Sequence, residues 1–251
     1  MLGVLGLAAA RTILSEAAAH TLENAGLHQE HGFAPPRLVT DLRADITACA
    51  EAGLFARAGS GGRTVDDYVR VATYCDPVGR PRDVGMWDAF YALWDRLDMV
   101  RQELAAELCC ELLPEMELHY VRYPPGGFFQ RHVDDYEDAN SDAPSSRRVS
   151  FVLYLNEADW SAEDGGALRV FSAAGREGAV EDCVPESGLL VLFDSKRLEH
   201  EVMVTHRERT CLIGWFHEPN NAVQQSTTSR DDELDGAGGE AGEESDALGW
   251  S

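Results

Sequence analysis

HYVRYPPGGFFQRHVD, residues 119–134, is the stretch from which the fold of this chain can be worked out. Apolar and polar residues alternate on both sides of Pro124-Pro125-Gly126-Gly127. A period of two predicts β-strands over 117–123 and 128–133, and the Pro-Gly cluster predicts the turn between them. A phosphate-binding loop would need these glycines between a strand and a helix, and no such context accompanies them. We therefore expect a β-hairpin.

Six more runs of the same kind follow along the chain. They are short, rich in Val, Phe, Tyr and Leu, and separated by turn sequences such as Asp164-Gly165-Gly166 and Pro185–Gly188. Their predicted ranges are 149–155, 167–171, 180–184, 189–193, 201–205 and 210–216. Eight short strands with this punctuation are typical of a double-stranded β-helix, or jelly roll.

The first part of the chain has helical periodicity instead. Helices are predicted over 1–27, 41–57 and 84–113, the last with an apolar aromatic stripe that would cover one face of a sheet. Pro35-Pro36 is expected to open an extended segment, and 58–63 to form a flexible loop. The expected fold class is α+β, with a jelly-roll core buttressed by N-terminal helices.

This pattern divides the chain into three regions. Residues 1–114 are expected to be a helical support region and 115–219 the jelly-roll core. Residues 226–251 carry eight acids and one base among Gly, Ala and Ser, which predicts a disordered acidic tail. Docking of a basic partner is an alternative role for that tail.

Composition restricts the partners and the compartment. The 251 residues carry a formal charge of −23, which argues against general nucleic-acid binding. The six scattered cysteines do not resemble a disulfide framework, and no segment has the apolar length of a membrane span. We expect a cytoplasmic protein, although the apolar start of the chain leaves a targeting segment open.

Four residues carry the chemistry. His132 and Asp134 lie two apart on a predicted strand and so share one face, and His200 opens a later strand. Two histidines and one carboxylate form a facial triad that suits non-haem Fe(II) and leaves open positions for a co-substrate and O₂. Arg209 would offer a fixed fork to a carboxylate of that co-substrate. The constellation predicts an oxygenase.

The other histidines are interpreted as structural. His28 and His31 have a spacing that can serve a metal, but no partner lies nearby, so loop positions are expected. His119 and His206 are assigned to a strand and a turn, and His217 to an exposed position after the last strand.

Residues 120–217 resemble the prolyl 4-hydroxylase-like branch of the 2-oxoglutarate- and Fe(II)-dependent dioxygenases. The matching text, in family order, is Tyr123-Pro124, Arg131–Asp134, Tyr154–Asn156 with Trp160, Gly165–Arg169, Pro185–Phe193, His200–Val202, Arg209 and Trp215-Phe216. The N-terminal helices are typical of such domains, but their sequence is not diagnostic.

The resemblance implies roles for individual residues. His132, Asp134 and His200 would bind Fe(II), and Arg209 would pair with the distal carboxylate of 2-oxoglutarate. The remaining expected co-substrate contacts are Tyr154, which would donate to that carboxylate, Ser150 as a weaker candidate for the same contact, Tyr123 near the mouth of the site, and Trp215 packed against the pocket. For Tyr154 and Trp215 ordinary barrel core is the alternative.

The resemblance also implies a reaction. Oxidative decarboxylation of 2-oxoglutarate would yield succinate and CO₂ and drive hydroxylation of an unactivated C–H bond, with L-ascorbate as reductant. A prolyl residue of a peptide or protein is the implied substrate, and the acids of the loop 136–147 favour a basic one. The alternatives are hydroxylation of a free amino acid or small metabolite and, in another class, a non-catalytic jelly-roll binding or sensor protein.

Overall fold

The computed structural model describes residues 12–57, 69–135, 143–171 and 180–220. The helices are α1 (Ala18–Ala25), α2 (Pro36–Glu51) and α3 (Trp87–Glu107). The strands are β1 (Leu27–Glu30), β2 (Ala56–Arg57), β3 (Thr73–Cys75), β4 (Met116–Tyr123), β5 (Phe129–His132), β6 (Ser145–Tyr154), β7 (Leu168–Phe171), β8 (Val180–Cys183), β9 (Leu190–Asp194), β10 (Glu199–Val202) and β11 (Arg209–Pro219). A short 3₁₀ helix covers Ala162–Asp164.

Two antiparallel sheets face each other. The major sheet has the order β1-β9-β6-β11-β4-β3-β2, and the minor sheet the order β5-β10-β7-β8. From β4 to β11 the chain passes back and forth between the two sheets, except that β7 and β8 are neighbours in the minor sheet, and this arrangement is that of a jelly roll. The predicted fold class is confirmed.

The period of two in the strand sequences separates two hydrophobic layers. In β6, Phe151 and Leu153 pack with the helices on the outer side of the major sheet. Val152 and Tyr154 pack instead with Val191, Leu168 and other residues between the two sheets. Because alternate residues of a strand point to opposite faces, one strand contributes to both layers. The inner layer is the one that surrounds the cavity described below.

All eight strands predicted from the sequence are present as β4 to β11, with ends displaced by a few residues. The Pro124–Gly127 segment is a turn, as predicted: the backbone N–H of Gly127 donates to the carbonyl of Pro124 at 2.7 Å, and Gly126 has a φ of +83°. A residue without a side chain is favoured at such an angle. The expected β-hairpin is wrong, because β4 pairs with β3 and β11 in the major sheet, whereas β5 pairs with β10 in the minor sheet.

The predicted helix over 1–27 is confirmed only in part among the residues that the structure describes. Residues 12–17 are not helical, α1 begins at Ala18, and Gly26 ends it with a φ of +75°. Leu27 already belongs to β1, which pairs with β9 and puts His28 opposite Leu192. His28 is therefore a buried strand residue beside Glu30 rather than a loop histidine, whereas His31 lies in the exposed turn that follows.

The prediction for Pro35-Pro36 is also wrong. Pro36 is the first residue of α2, and only Pro35 is extended, with φ −64° and ψ 154°. Proline lacks an N–H, and the first turn of a helix does not use one, so the pair starts a helix here. The helix predicted over 41–57 ends at Glu51, and Ala56–Arg57 form the edge strand β2.

The longest predicted helix, 84–113, is observed as α3, and its apolar stripe covers the outer face of the major sheet as expected. The N-terminal region is not purely helical, however, because β1, β2 and β3 extend the major sheet on its two edges. The predicted loop 58–63, most of the loop 136–147 and the acidic tail lie outside the described residues. No helix in the described ranges is long and apolar enough to cross a membrane.

Candidate active site

A cavity of about 420 Å³ opens between the two sheets and contains the predicted metal ligands. Strands β5 and β10 are neighbours in the minor sheet, and His132 lies directly opposite His200 in their register. Asp134 follows β5 two residues after His132. Cross-strand pairing thus brings His200, which is far along the chain, next to His132 and Asp134, with one ligand atom of each residue within 4.8 Å of the others.

Each histidine presents its Nε2 to the same point. Nδ1 of His132 lies 2.8 Å from the carbonyl of Gln130, and Nδ1 of His200 lies 3.0 Å from the carbonyl of Leu198. A carbonyl accepts only, so both Nδ1 atoms carry a proton and donate, and in the neutral form of each ring the lone pair is on Nε2. Burial lowers the pKa of His200, which favours the neutral form that a metal ligand must have.

Asp134 divides its two oxygens between different partners. Oδ1 lies 3.4 Å from Nε2 of His132 and 3.6 Å from Nε2 of His200. Oδ2 accepts a hydrogen bond of 2.9 Å from the indole N–H of Trp215. Burial raises the pKa of the Asp134 carboxyl, but His132, His200 and Ser150 outweigh it, so the net pKa lies well below the ordinary value. An ionised carboxylate between two neutral imidazoles is a donor set for one divalent cation.

Aromatic rings hold the two imidazoles in place. The ring of Phe129 stacks on His132 with centroids 3.8 Å apart and planes 22° apart, and Phe193 packs against His200 edge-on at 4.7 Å. Neither phenylalanine is recognisable as part of the site from the sequence, because each reads as an ordinary strand residue. They restrict the rotamers of the ligands and exclude water from one side of the centre.

Arg209 lies at the other end of the cavity and is 1% exposed. Its Nε donates to the carbonyl of Gly166 at 2.9 Å and its Nη1 to Sγ of Cys211 at 3.3 Å. Gly166 has a φ of +69°, and a Cβ there would lie 2.9 Å from Cδ of Arg209, so glycine is required for the approach. No carboxylate of the described residues lies within 4 Å of this guanidinium.

Two tyrosines flank Arg209. Cζ of Arg209 lies 4.8 Å from the ring centroid of Tyr123 and 5.0 Å from that of Tyr154. The hydroxyl of Tyr154 is buried and has no hydrogen-bond partner among the described residues. Burial raises the pKa of Tyr154, so the phenol keeps its proton. A buried cation without a counter-ion, next to a buried hydroxyl without an acceptor, is a site prepared for a carboxylate.

Asn156 explains why the Tyr154-Leu155-Asn156 segment fixes this end of the cavity. Its Nδ2 donates to the carbonyl of Pro185, and its Oδ1 accepts from the backbone N–H of Thr210, both at 2.8 Å. The side chain is 1% exposed. Its two hydrogen bonds connect the start of β11, next to Arg209, to the loop that contains Pro185. The sequence showed the motif but not this contact.

The structure places two of the predicted co-substrate residues at the metal end. The indole N–H of Trp215 donates a hydrogen bond to Asp134, and Cζ of Arg147 lies 3.7 Å from the centroid of the Trp215 ring. Ser150 shares a hydrogen bond of 2.8 Å with Ser195 and lies close enough to Asp134 to lower its pKa. Neither residue contacts Arg209, so their geometry is that of supports for the Asp134 carboxylate.

The histidines that were assigned to structure separate into two groups. His206 lies in a turn and bonds to the carbonyl of Glu163. His119 lines the cavity beside Trp215. The expectation for His217 is wrong: it lies within β11, is 23% exposed, and its Nε2 is 3.5 Å from Glu117. Glu117 also accepts two hydrogen bonds from Arg147, at 2.6 and 3.0 Å, so each of these two charged residues of the cavity wall has its counter-ion in the other.

Comparison with known proteins gives a consistent result. Residues 118–217 match the sequence profile of the 2OG-Fe(II) oxygenase superfamily. The crystal structure of a prolyl-4-hydroxylase from Pseudomonas putida is 32% identical, with a TM-score of 0.66, over 81% of this chain and 98% of the other. A Trichoplax adhaerens prolyl hydroxylase in complex with a peptide fragment of hypoxia inducible factor shares the fold, at 20% identity and a TM-score of 0.64, over 79% and 86% of the two chains.

A curated sequence relative, a prolyl 3,4-dihydroxylase of Ostreococcus tauri, is 28% identical over 108 residues. That match covers 38% of this chain and 21% of the relative, so the chain matches only about a fifth of the relative's length.

Proposed function

Since the chain belongs to the prolyl 4-hydroxylase-like 2-oxoglutarate- and Fe(II)-dependent oxygenases, we propose that it hydroxylates a prolyl residue of a peptide or protein. The observation that carries the proposal is the cavity itself. It contains the three-ligand centre and Arg209, which is 1% exposed and has no counter-ion among the described residues, and exposed lining residues such as Ala56 and Arg57 mark its open side. This arrangement fits a small diacid behind the metal and a larger substrate in front of it.

The metal would be held by Nε2 of His132, Nε2 of His200 and Oδ1 of Asp134. Fe(II) and 2-oxoglutarate, when bound, supply the activation of O₂, the release of succinate and CO₂ and the transfer of one oxygen atom to an unactivated C–H bond. The carbonyl contacts hold a proton on Nδ1 of both imidazoles, burial lowers the pKa of His200, and the Asp134 carboxylate stays ionised. Three protein ligands leave the remaining positions of an octahedral ion for exchangeable groups.

Arg209, Tyr154 and Tyr123 would hold the co-substrate. The guanidinium provides a charged donor, and the Tyr154 hydroxyl provides a neutral one that has no other acceptor among the described residues. A carboxylate between them would satisfy both groups, and its negative charge would compensate the buried cation. Trp215 and Ser150 would position Asp134 rather than contact the co-substrate. L-Ascorbate remains a prediction of the sequence resemblance.

The experiment is a coupled measurement of two products. The protein is incubated with Fe(II), 2-oxoglutarate and a library of proline-containing peptides, and succinate release is compared with the 16 Da gain of peptide mass. We expect equimolar succinate and hydroxylated peptide, abolished by a chelator and by His132→Ala, and unchanged in His206→Ala, a turn histidine outside the cavity.

Three other outcomes would contradict parts of the proposal. Hydroxylation of free proline in preference to every peptide would indicate a metabolite hydroxylase. Binding of 2-oxoglutarate without any turnover would indicate a sensor. Full activity in a metal-free sample would exclude the proposed centre altogether.

A further inference from the structure

Arg70 is a second arginine of the cavity, and the proposed chemistry does not use it. Its backbone bridges to Phe129, and the flanking hydrogen bonds, Val71 N–H to Phe128 and Gln130 N–H to Val69, are 2.9 and 2.8 Å long. The segment is therefore fixed to β5, the strand that carries His132. Its side chain lines the cavity.

The guanidinium of Arg70 lies against two aromatic rings. Its Cζ is 5.1 Å from the ring centroid of Phe129 and 5.2 Å from that of Tyr74. Phe129 is the ring that stacks on His132, so a single aromatic ring separates Arg70 from a proposed metal ligand. Contacts with ring faces orient a guanidinium but leave its in-plane N–H groups for other acceptors.

Those N–H groups lack an ionic partner. Nε of Arg70 is buried and makes no hydrogen bond, and within the described ranges no carboxylate lies within 4 Å of the side chain. Arg147, another arginine that lines the cavity, is instead paired with Glu117. Asp76 also lines the cavity, and its Oδ1 accepts the backbone N–H of Val78.

Tyr74 adds a neutral donor beside Arg70. Burial raises the pKa of its phenol, and the charge of Arg70 lowers it only in part, so the hydroxyl keeps its proton. Arg70 also hydrogen-bonds this phenol. A guanidinium without a counter-ion among the described residues and a protonated phenol next to it form the same kind of pair as Arg209 and Tyr154. The ligand class that fits is again a carboxylate.

We propose that Arg70, with Tyr74, binds a carboxylate of the substrate and makes the enzyme selective for proline near an acidic group. The proposal rests on the proposed prolyl hydroxylation. Cζ of Arg70 lies 5.1 Å from the ring centroid of Phe129, and that centroid lies 3.8 Å from the centroid of His132. An extended peptide advances about 3.3 to 3.6 Å per residue, so a group one to three residues from the target proline can span such a separation. The expectation of a basic substrate depended mainly on acids at 137, 138 and 142, which lie outside the described residues.

The test uses peptides that differ in one feature. Each proline peptide is made with Glu, Gln or Lys at each of the three positions on either side, and with a free or an amidated C-terminus. kcat/KM is measured by peptide mass. We expect the best Glu peptide to exceed its Gln counterpart about tenfold, as a charge-assisted pair replaces a neutral one. If only the free C-terminus has this effect, the carboxylate is the terminal one.

Two variants assign the preference to Arg70. In Arg70→Gln the ratio of Glu to Gln peptide should fall to about one, and in Arg70→Glu the Lys peptide should become the best. Arg122→Gln is the matched control, because Arg122 also lies over a phenylalanine ring, that of Phe55 at 5.5 Å, but is paired with Glu208 outside the cavity. It should keep the wild-type ratio.

The outcomes are distinguishable from failure of the proposed function. Absence of any peptide hydroxylation by the wild type overturns the proposed function. Hydroxylation with equal rates for Glu and Gln peptides, or a preference for Glu that survives in Arg70→Gln, overturns the role of Arg70 alone. Thermal unfolding of each variant excludes loss of fold, and the charge-reversal variant reports a gain rather than a loss.

Discussion

The indole N–H of Trp215 donates to Oδ2 of Asp134 at 2.9 Å, from a strand of the opposite sheet. This bond turns Oδ1 towards the two Nε2 atoms of His132 and His200. A strand of the major sheet thus orients a ligand that follows a strand of the minor sheet. The metal centre depends on how the two sheets face each other, and not only on the pairing of β5 with β10.

Trp215→Phe should weaken Fe(II) binding by about tenfold, because loss of an outer-shell partner typically lowers metal affinity 10- to 100-fold. The ring volume is largely kept, so the fold should persist. Fe(II) affinity is measured by competition with a chromogenic chelator under anaerobic conditions. Trp160→Phe is the control, since the Trp160 indole donates to the carbonyl of Gly165 away from the metal ligands. Equal affinities of both variants would contradict the orienting role.

Arg209→Ala should raise the KM for 2-oxoglutarate by two orders of magnitude or more. Removal of one partner of a buried charge pair costs about 2 to 5 kcal/mol, much of it from leaving the other charge alone. The KM of Arg209→Lys should lie between those of the wild type and Arg209→Ala. An ammonium keeps the charge but lacks the planar fork that hydrogen-bonds to Gly166 and a carboxylate together.

The control for Arg209 is Arg169→Ala. Arg169 follows the Gly165-Gly166 pair in the sequence but is bonded to Asp182 at 2.7 and 2.8 Å on the outer face of the minor sheet. The KM of Arg169→Ala for 2-oxoglutarate should equal that of the wild type. An unchanged KM in Arg209→Ala would mean that another base holds the co-substrate.

Tyr154→Phe should have effects of opposite sign on stability and on co-substrate binding. The hydroxyl has no acceptor among the described residues, so its removal should leave the melting temperature of the ligand-free protein unchanged or higher. The KM for 2-oxoglutarate should rise about 5- to 10-fold, as one hydrogen bond to a charged group is lost. A lower melting temperature with an unchanged KM would assign Tyr154 to the core instead.

Much of this site was predictable because its signals are local. The spacing of His132 and Asp134 places both on one side of an extended chain, and the alternation of β4 to β11 gives the sheets that bring His200 and Arg209 near them. Contacts across the sheets leave no such pattern. Nothing in the sequence indicates that Cys211 accepts from Arg209, or that Arg70 lies over Phe129.

The errors in the N-terminal region have a related cause. The segment 27–30 has no alternation strong enough to predict a strand, and it becomes β1 because the edge of β9 is available for pairing. Pro35-Pro36 is compatible both with an extended segment and with the start of a helix, and the burial of Val39 and Leu42 in the outer core accompanies the helix. Tertiary contacts decided both cases.

Asp45 is the clearest case of a position that tertiary contacts decide. An acidic residue in a predicted helix is expected to face solvent. Asp45 is 0% exposed and accepts hydrogen bonds from Nη2 of Arg80 at 3.0 Å, from the hydroxyl of Tyr120 at 2.7 Å and from the backbone N–H of Met86. Arg80 is itself buried, and its guanidinium lies 4.0 Å from the ring centroid of Trp87. This network joins α2 and α3 to β4 on the outer side of the major sheet.

Asp45→Asn should therefore lower the free energy of unfolding by about 3 to 5 kcal/mol, since it leaves the buried Arg80 charge without a counter-ion. Asp41→Asn on the same helix is the control: its partner Arg37 is 93% exposed at 3.7 Å, and loss of such a pair costs about 1 kcal/mol or less. Urea unfolding of both variants gives the comparison. A loss below 1 kcal/mol in Asp45→Asn would show that Arg80 finds solvent or another acid when the carboxylate is removed.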